Sequence, residues 1–295
     1  MHRALRRAVR HRVDRAPGQR GAPAPRRADF ANARNCLIAV TGARGVLGTA
    51  LLPLFGDDRA RAIDRRDGLE LSDRARVREA LYGCDMVIHL AALHPLVAPE
   101  GTDASTYHKA NVVPFQDLLT EAQRAGVRRV VLASSTSVWR DAEIGEPARF
   151  LDESVAPDAD DGYARSKREC EAMLRQSRME GVILRLARFA RAGDVEDEVR
   201  KLYRAVDPRD AAAAVALAAR SAPAGALYAL SAPTPFTPDD AALLASDPRE
   251  AVRRRLGRDP AWVPERIGSV VVSTRATREL GWRAAHPSAL MDRSG

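Results

Sequence analysis

Residues 36–54 read Cys-Leu-Ile-Ala-Val-Thr-Gly-Ala-Arg-Gly-Val-Leu-Gly-Thr-Ala-Leu-Leu-Pro-Leu. A short apolar run, Leu37 to Val40, has the length and β-branched content of a buried strand. Gly42, Gly45 and Gly48 follow, and Val46, Leu47, Ala50, Leu51 and Leu54 then recur at helical spacing. The order is strand, glycine turn, helix. Such a turn lets the backbone approach a pyrophosphate, whose charge then meets the positive end of the helix. Glycine triplets also mark ordinary turns, so the context decides. The next strand, Arg61-Ala-Ile63, ends in Asp64, where an acid meets the ribose hydroxyls of a bound dinucleotide. The alternative reading of Asp64 is a solvated turn residue.

Beyond Asp64 strands and helices alternate. Ser72 is expected to cap a helix running to Ala80, before a strand at Met86–Leu90. A helical pattern from Ala104 to Ala125 stops at Gly126, and its Pro114 should kink or break it. Val130–Ala133 is a strongly apolar strand running into Ser134-Ser-Thr-Ser137. After an irregular acidic loop come a helix from Tyr163 to Arg178 and a strand at Val182–Leu184. This rhythm predicts an α/β fold, a Rossmann-type doubly wound parallel sheet covered on both faces. The last third is less regular: an alanine-rich helix from Asp207 to Ala219, a strand at Leu227–Leu230, a helix between Pro238 and Leu256, and a final helix capped by Ser273. The expected division is a tail over residues 1–34, a dinucleotide-binding core over 35–185, and over 186–295 mainly a small C-terminal substrate lobe, with some segments returning to the core.

The net charge of +8 hints at nucleic acid, but its distribution argues otherwise. Ten arginines against Asp14 and Asp29 put all of it in residues 1–34, leaving the rest neutral. The basic character belongs to the tail, so no nucleic-acid partner is expected. That tail mixes Arg, Ala, Pro and Gly, is poorly equipped to bury a core, and is read as a disordered, dispensable extension. An arginine-rich leader also suits a transit peptide, although the Pro-Gly interruptions argue against one amphipathic helix. No apolar run approaches the roughly 18 residues that span a bilayer. Cys36, Cys84 and Cys170 are odd in number and far apart. They suggest neither a zinc site nor a disulfide framework, and a reducing cytoplasm is the expected setting.

The second informative stretch is Tyr163-Ala-Arg-Ser-Lys167. Four residues apart on a helix, phenol and ammonium share a face. A nearby cation favours the ionised phenol, so a tyrosine tuned in this way can exchange a proton with an alcohol or carbonyl oxygen. Ser134 and Ser135 lie at the carboxyl end of a parallel strand, where α/β sheets bind their ligands.

With these pieces in view, the chain resembles extended short-chain dehydrogenases/reductases of the NAD-dependent epimerase/dehydratase group, over about residues 36–285. The matching motifs are Thr41–Gly48, Asp64, His89-Leu-Ala-Ala92, Asn111, Ser134-Ser135, Tyr163-x-x-x-Lys167, Arg185, Asp207-Pro-Arg-Asp210 and Glu279-Leu-Gly-Trp282. The resemblance implies an NAD cofactor held by Gly42, Arg44, Gly45, Val46, Leu47, Gly48, Asp64, Leu90, Ala91, Ala92 and Asn111. It implies catalysis by Ser135, Tyr163 and Lys167, with Tyr163 and Lys167 also among the cofactor-binding residues and Lys167 on the nicotinamide ribose. Ser135, Thr136, His94, Arg188 and Arg200 are the candidate substrate residues, and no metal is implied. NADP stays open, because Arg44, Arg65 and Arg66 could attract a 2′-phosphate.

Departures from the pattern narrow the chemistry. Sugar-nucleotide dehydratases of this group carry an Asp-Glu pair where this chain has Thr136-Ser137, which argues against dehydration. Epimerases read Arg-x-x-Asn where this chain reads Arg185-Leu-Ala-Arg188, and Trp139-Arg140 replaces the usual Tyr-Gly. The short 189–207 segment resembles the uronate dehydrogenase branch, in which an arginine at the spacing of Arg200 would grip a carboxylate. The alternative is that Arg200 belongs to a solvated charged stretch. The leading expectation is an oxidoreductase acting on a secondary alcohol or carbonyl of a sugar, sugar acid or similar polar small molecule. The alternatives are a nucleotide-sugar epimerase with tightly held NAD and a non-catalytic NAD(P)-sensing regulator. A homodimer through the two long helices is implied by resemblance alone.

Overall fold

The computed structural model describes residues 36–56 and 58–292; the tail expected over 1–34 lies outside them. In chain order the strands are β1 (Ile38–Thr41), β2 (Ala60–Ile63), β3 (Met86–His89), β4 (Arg129–Ser135), β5 (Arg149–Leu151), β6 (Glu180–Leu186), β7 (Arg188–Phe189), β8 (Ala205–Val206), β9 (Leu227–Leu230) and β10 (Ser269–Val271). The helices are α1 (Val46–Leu51), α2 (Arg74–Leu81), α3 (Ala104–Tyr107), α4 (Val113–Arg124), α5 (Gly162–Gln176), α6 (Val195–Lys201), α7 (Pro208–Ser221), α8 (Ala241–Ser246), α9 (Pro248–Leu256) and α10 (Thr274–Leu280).

Six strands form one parallel sheet in the order β2-β1-β3-β4-β6-β9. The chain runs outward from β1 to β2, then crosses back to β3 on the other side of β1. That reversal opens a crevice at the carboxyl ends of β1 and β3, the place where such sheets bind ligands. Successive strand residues feed opposite cores, as a period of two requires. Ile38, Val40, Ile88, Val131 and Leu184 pack on one face with α1 and α7. Ala39, Val87, Val130, Leu132 and Ile183 pack on the other with Phe115, Leu118 and Leu174. Alanines dominate the buried face of α7 because it lies directly against α1. Thus α7 and β9, from the irregular last third, complete the parallel sheet and its cover.

The remainder caps the carboxyl edge. Its core gathers Ala148, Leu202, Phe236, Leu244, Val252 and Val270. It contains two small parallel pairs, β5 with β10 and β7 with β8. The pairing of β5 shows that the acidic loop is not wholly irregular. Trp139, Val138, Leu151, Ala229 and Val271 join this lobe to the sheet.

Local differences from expectation have local causes. Asp73, not Ser72, caps α2, its carboxylate accepting from Arg76 N–H at 3.1 Å; a carboxylate is at least as good a cap as a hydroxyl. Ser273 precedes α10 without capping it, because its hydroxyl bonds the backbone of Ser231. The helix expected up to Leu256 is two helices, since Asp247 ends α8 and, with Pro248, starts α9. Pro114 has the effect expected of it. Lacking an N–H for the carbonyl four residues back, it follows a π turn at His108–Val112 that separates α3 from α4.

Candidate active site

The glycine turn sits in the crevice. Gly42 follows β1 at φ +69°, and a Cβ there would lie 2.7 Å from the Ala91 nitrogen. At Gly48 a Cβ would come within 2.5 Å of the Gly42 and Ala43 carbonyl oxygens. Two of the three glycines are therefore demanded by how the turn packs on β3 and on its own helix. Arg44 and Val46 at the tip are exposed, as is Ala92 across the crevice, while Leu90 and Ala91 are partly covered. Asp64 closes the turn from below, accepting from Arg44 N–H at 2.9 Å and Arg66 N–H at 3.0 Å. A carboxylate has about four acceptor positions, so lone pairs remain for a diol. The Arg44 guanidinium bonds Asp67, and Arg66 reaches the Arg44 carbonyl.

Two strands across the sheet, β4 ends in Ser134 and Ser135, both buried. The Ser135 hydroxyl accepts from Ser137 N–H at 3.0 Å. Tyr163 and Lys167 lie one turn apart on α5 and are 4 % exposed each. The Lys167 ammonium donates to the Ala133 carbonyl at 2.9 Å and lies 5.9 Å from the centre of the Tyr163 ring. The three expected groups thus converge. Their electrostatics differ from expectation. Burial pushes the Tyr163 phenol well above its ordinary value, with hydrogen bonding to Ser135 opposing it. Burial also lowers Lys167. Lys167 does not produce the expected acidic phenol, because desolvation disfavours both charges and the ammonium is bound to a carbonyl.

Asn111, expected on the cofactor, is spent differently. Its side-chain oxygen accepts from Leu93 N–H at 2.7 Å, and its amide donates to the Leu93 carbonyl and the Ser166 hydroxyl. Asn111 sits in the π turn that precedes Pro114. The turn aims this side chain inward, where it pins the loop after β3. That loop carries His94, whose ring meets the edge of Tyr163 at 5.1 Å between centroids. His94 Nδ1 faces Leu96 N–H at 3.1 Å. Burial, then Lys167 and Arg188, hold His94 below the usual histidine range, and with Nδ1 accepting from Leu96 N–H it is Nε2 that would carry the proton of the neutral ring.

The sequence pattern of the NAD dependent epimerase/dehydratase family matches residues 38–221, more than half of the chain. The chain belongs to that family. Among curated proteins it is 39 % identical over 112 residues to sterol demethylase protein B of Methylococcus capsulatus, covering 32 % of this chain and 33 % of that protein. It is 33 % identical over 111 residues to a 4-hydroxy-2-methyl-3-oxo-4-farnesyl-3,4-dihydroquinoline-1-oxide ketoreductase of Stigmatella aurantiaca, covering 36 % of this chain and 30 % of that one. Each match spans about a third of the relative's length. In three dimensions the chain is similar to a short-chain dehydrogenase/reductase superfamily protein of Agrobacterium tumefaciens solved with bound NAD. The TM-score is 0.65 at 21 % identity, over 86 % of this chain and 94 % of that one. That likeness confirms the Rossmann-type fold.

The surroundings of the site are rich in arginine. Ser134 is not free: it donates to Glu171 at 2.6 Å, and Glu171 also binds Arg185 through two hydrogen bonds and Arg175 through a third. Arg185 stacks on Trp139 at 4.7 Å. Arg204 was not foreseen. It clamps the end of β4 by donating to the Thr136 and Trp139 carbonyls at 2.6 and 2.9 Å, and it pairs with Asp141. Thr136 is itself buried beneath this clamp. Arg200 is neither a free anion grip nor a solvated charge. It binds Glu196 and Asp197 and stacks on Trp262 at 4.9 Å. A lone arginine among many gives no signal in one sequence, so Arg204 could be found only from the fold. Among the described residues no group of three or more His, Cys, Asp or Glu side chains is placed to hold a metal, and no helix is long and apolar enough to cross a membrane.

Proposed function

We propose that the protein is an NAD-dependent oxidoreductase that moves hydride to or from a secondary alcohol or carbonyl of a sugar, sugar acid or similar polar small molecule. The observation that carries this reading is the convergence of Ser135, Tyr163 and Lys167 on the crevice that also holds the glycine turn. The turn fits a dinucleotide. Gly42 and Gly48 exclude side chains from it, and the first N–H groups of α1, at Val46 and Leu47, lack partners within the helix. Gly45 and the exposed tip belong to the same cradle, Asp64 would take the adenosine ribose, Leu90–Ala92 would line the cleft, and Lys167 would take the second ribose.

When bound, the nicotinamide exchanges hydride with the substrate carbon. The chain's own groups handle the oxygen. Tyr163, held protonated by burial in the free protein, would donate its proton to a forming alkoxide; in the oxidative direction it would receive the alcohol's proton only after releasing its own to solvent. Ser135 accepts from Ser137 N–H with one of its two lone pairs, and its hydroxyl, hydrogen-bonded to Tyr163 in the free protein, would turn to the same oxygen. Purified protein incubated with NAD and a panel of sugars, sugar acids and nucleotide-sugars should form NADH with at least one of them. Failure across the panel, with NAD bound, would overturn the redox reading.

NAD is preferred over NADP because Asp64 and Asp67 flank the ribose position and Arg44 is already bound to Asp67. NADH should bind about tenfold or more tighter than NADPH in a fluorescence titration. A reversed preference of that size would overturn the role of Asp64.

The family's description also covers epimerases, which favours one second reading: an epimerase that keeps its NAD. Cofactor retained through dialysis, with sugar inversion and no net NADH, would decide for it. A purely NAD(P)-sensing role has no use for a buried tyrosine–lysine pair.

A further inference from the structure

Around the site Arg185, Arg188, Arg191 and Arg200 face carboxylates. Arg204 spends its guanidinium differently. One side meets the cap, with Asp141 Oδ1 and the Ser269 hydroxyl each at 2.7 Å. The other side meets the 3₁₀ turn Thr136–Val138 that follows β4. There it donates to the Thr136 and Trp139 carbonyls at 2.6 and 2.9 Å and reaches the Thr136 hydroxyl at 3.5 Å. Five acceptors thus answer the five N–H groups of a guanidinium. The side chain is 17 % exposed, and the Arg204 main chain is anchored by its own N–H on the Arg200 carbonyl at 2.8 Å.

The carbonyl that Arg204 grips decides what this clamp does. The Thr136 carbonyl and the Ser137 N–H are opposite edges of one peptide unit, which is planar and trans, so they point in opposite directions. On the far edge, Ser137 N–H donates to the Ser135 hydroxyl at 3.0 Å. Any rotation of the plane that loosened the Arg204 contact would also swing this N–H off Ser135. The Trp139 carbonyl is held in the same way, because the N–H across its plane, that of Arg140, donates to Asp158 at 2.9 Å. Both peptides are pinned at both edges. The cation also polarises the Thr136 carbonyl, which makes the Ser137 N–H a stronger donor.

We infer that Arg204 is a positioning residue for the reaction, acting through the Thr136–Ser137 peptide to aim the Ser135 hydroxyl at the substrate oxygen. This rests on the redox reading above and adds to it a side chain that works through the backbone. A brace that merely tied the cap to the sheet would act independently of the side chain at residue 135. Lysine is a poor replacement, because one nitrogen cannot face Asp141 and both carbonyls across the width of a fork.

The test compares Arg204→Met, Arg204→Lys, Ser135→Ala, and Ser135→Ala combined with Arg204→Met, all NAD-loaded. NMR reads hydrogen exchange at the Ser137 amide, and absorbance reads NADH formed from D-glucose, D-glucuronate or UDP-glucose. In Arg204→Met the Ser137 amide should exchange about tenfold or more faster, while Val131 in the middle of β4 stays protected. Turnover should fall about tenfold or more, short of the 10²–10³ of a donor removed outright. KM and NAD affinity should stay within about twofold of native values. Arg204→Lys should recover part of the loss. In the Ser135→Ala background, Arg204→Met should cost less than about twofold further, the non-additivity of two residues on one path. Full additivity, an unchanged Ser137 amide, or a loss confined to NAD affinity would each overturn the inference and leave Arg204 a brace between cap and sheet. Should Arg204→Met not fold, Arg204→Lys alone and with Ser135→Ala supplies the same comparisons. If the native protein forms no NADH from any of the three probes, it is the functional proposal that fails, and the Ser137 amide still decides what Arg204 holds.

Discussion

Tyr163→Phe should lower turnover about 10³-fold, within the 10²–10⁴ span of a lost general acid or base. The variant removes one hydroxyl and keeps the ring, so the edge contacts with His94 and Tyr107 survive. Stability and NADH affinity should stay close to those of the native chain. The loss should fall on kcat and kcat/KM together, because the missing contact is made only as the proton moves. Burial sets the direction in which the native group acts. The phenol's pKa is raised and the lysine's lowered, so near neutral pH the free protein holds Tyr163 as a proton donor. Lys167→Met should reduce turnover as well, and it should also weaken cofactor binding if the ammonium holds the second ribose. Retention of a tenth or more of native turnover in Tyr163→Phe would remove the phenol from the chemistry and leave His94 as the nearest alternative donor.

Much of this site was legible in the sequence, for a physical reason. Gly42 and Gly48 occupy places where only a missing Cβ fits, and Asp64 and the Tyr163–Lys167 pair stand at spacings fixed by a strand end and a helix turn. Local geometry leaves local marks. The failures involve contacts that local geometry does not encode. Arg204 reaches β4 from 68 residues away, and nothing near it in sequence announces that clamp. Asn111 carries its family position but spends its amide on Leu93 and Ser166, which depends on a π turn set by Pro114. The short β5 escaped detection because its partner, β10, lies more than a hundred residues downstream. For Tyr163, residue spacing shows which charges are near but not how dry their surroundings are, and in the free protein burial raises the phenol.

The largest effect on stability should come from Glu171. Its carboxylate is buried and holds together Ser134, Arg175 and Arg185, and Arg185 is itself 2 % exposed with one nitrogen already unpartnered. Glu171→Gln keeps the shape but removes the charge, stranding the Arg185 guanidinium between Trp139 and the sheet. Breaking one side of a buried pair costs about 3–5 kcal/mol, and urea unfolding should show a loss of that order. Burial raises the Glu171 pKa, but the hydrogen bonds from Arg185 and Ser134 and the arginine charges outweigh it, and the net shift is downward. The stabilisation is therefore present above the unfolded carboxylate value of about 4.3 and is lost as pH falls through the lower folded value. The gap between native and Glu171→Gln should accordingly be full at pH 7 and close in acid. A double variant, Glu171→Met with Arg185→Met, should recover most of the loss, since two apolar chains can replace a buried pair with little net cost. The readout extends to the site, because Ser134 precedes Ser135 on β4 and its anchor is Glu171. Single-variant turnover should fall while the double variant stays folded with Ser134 unanchored, so activity and stability should separate between the two. A Glu171→Gln cost below about 1 kcal/mol, the size of an exposed pair, would show that water already screens the network and that β4 needs no charged brace to hold Ser135 against Tyr163.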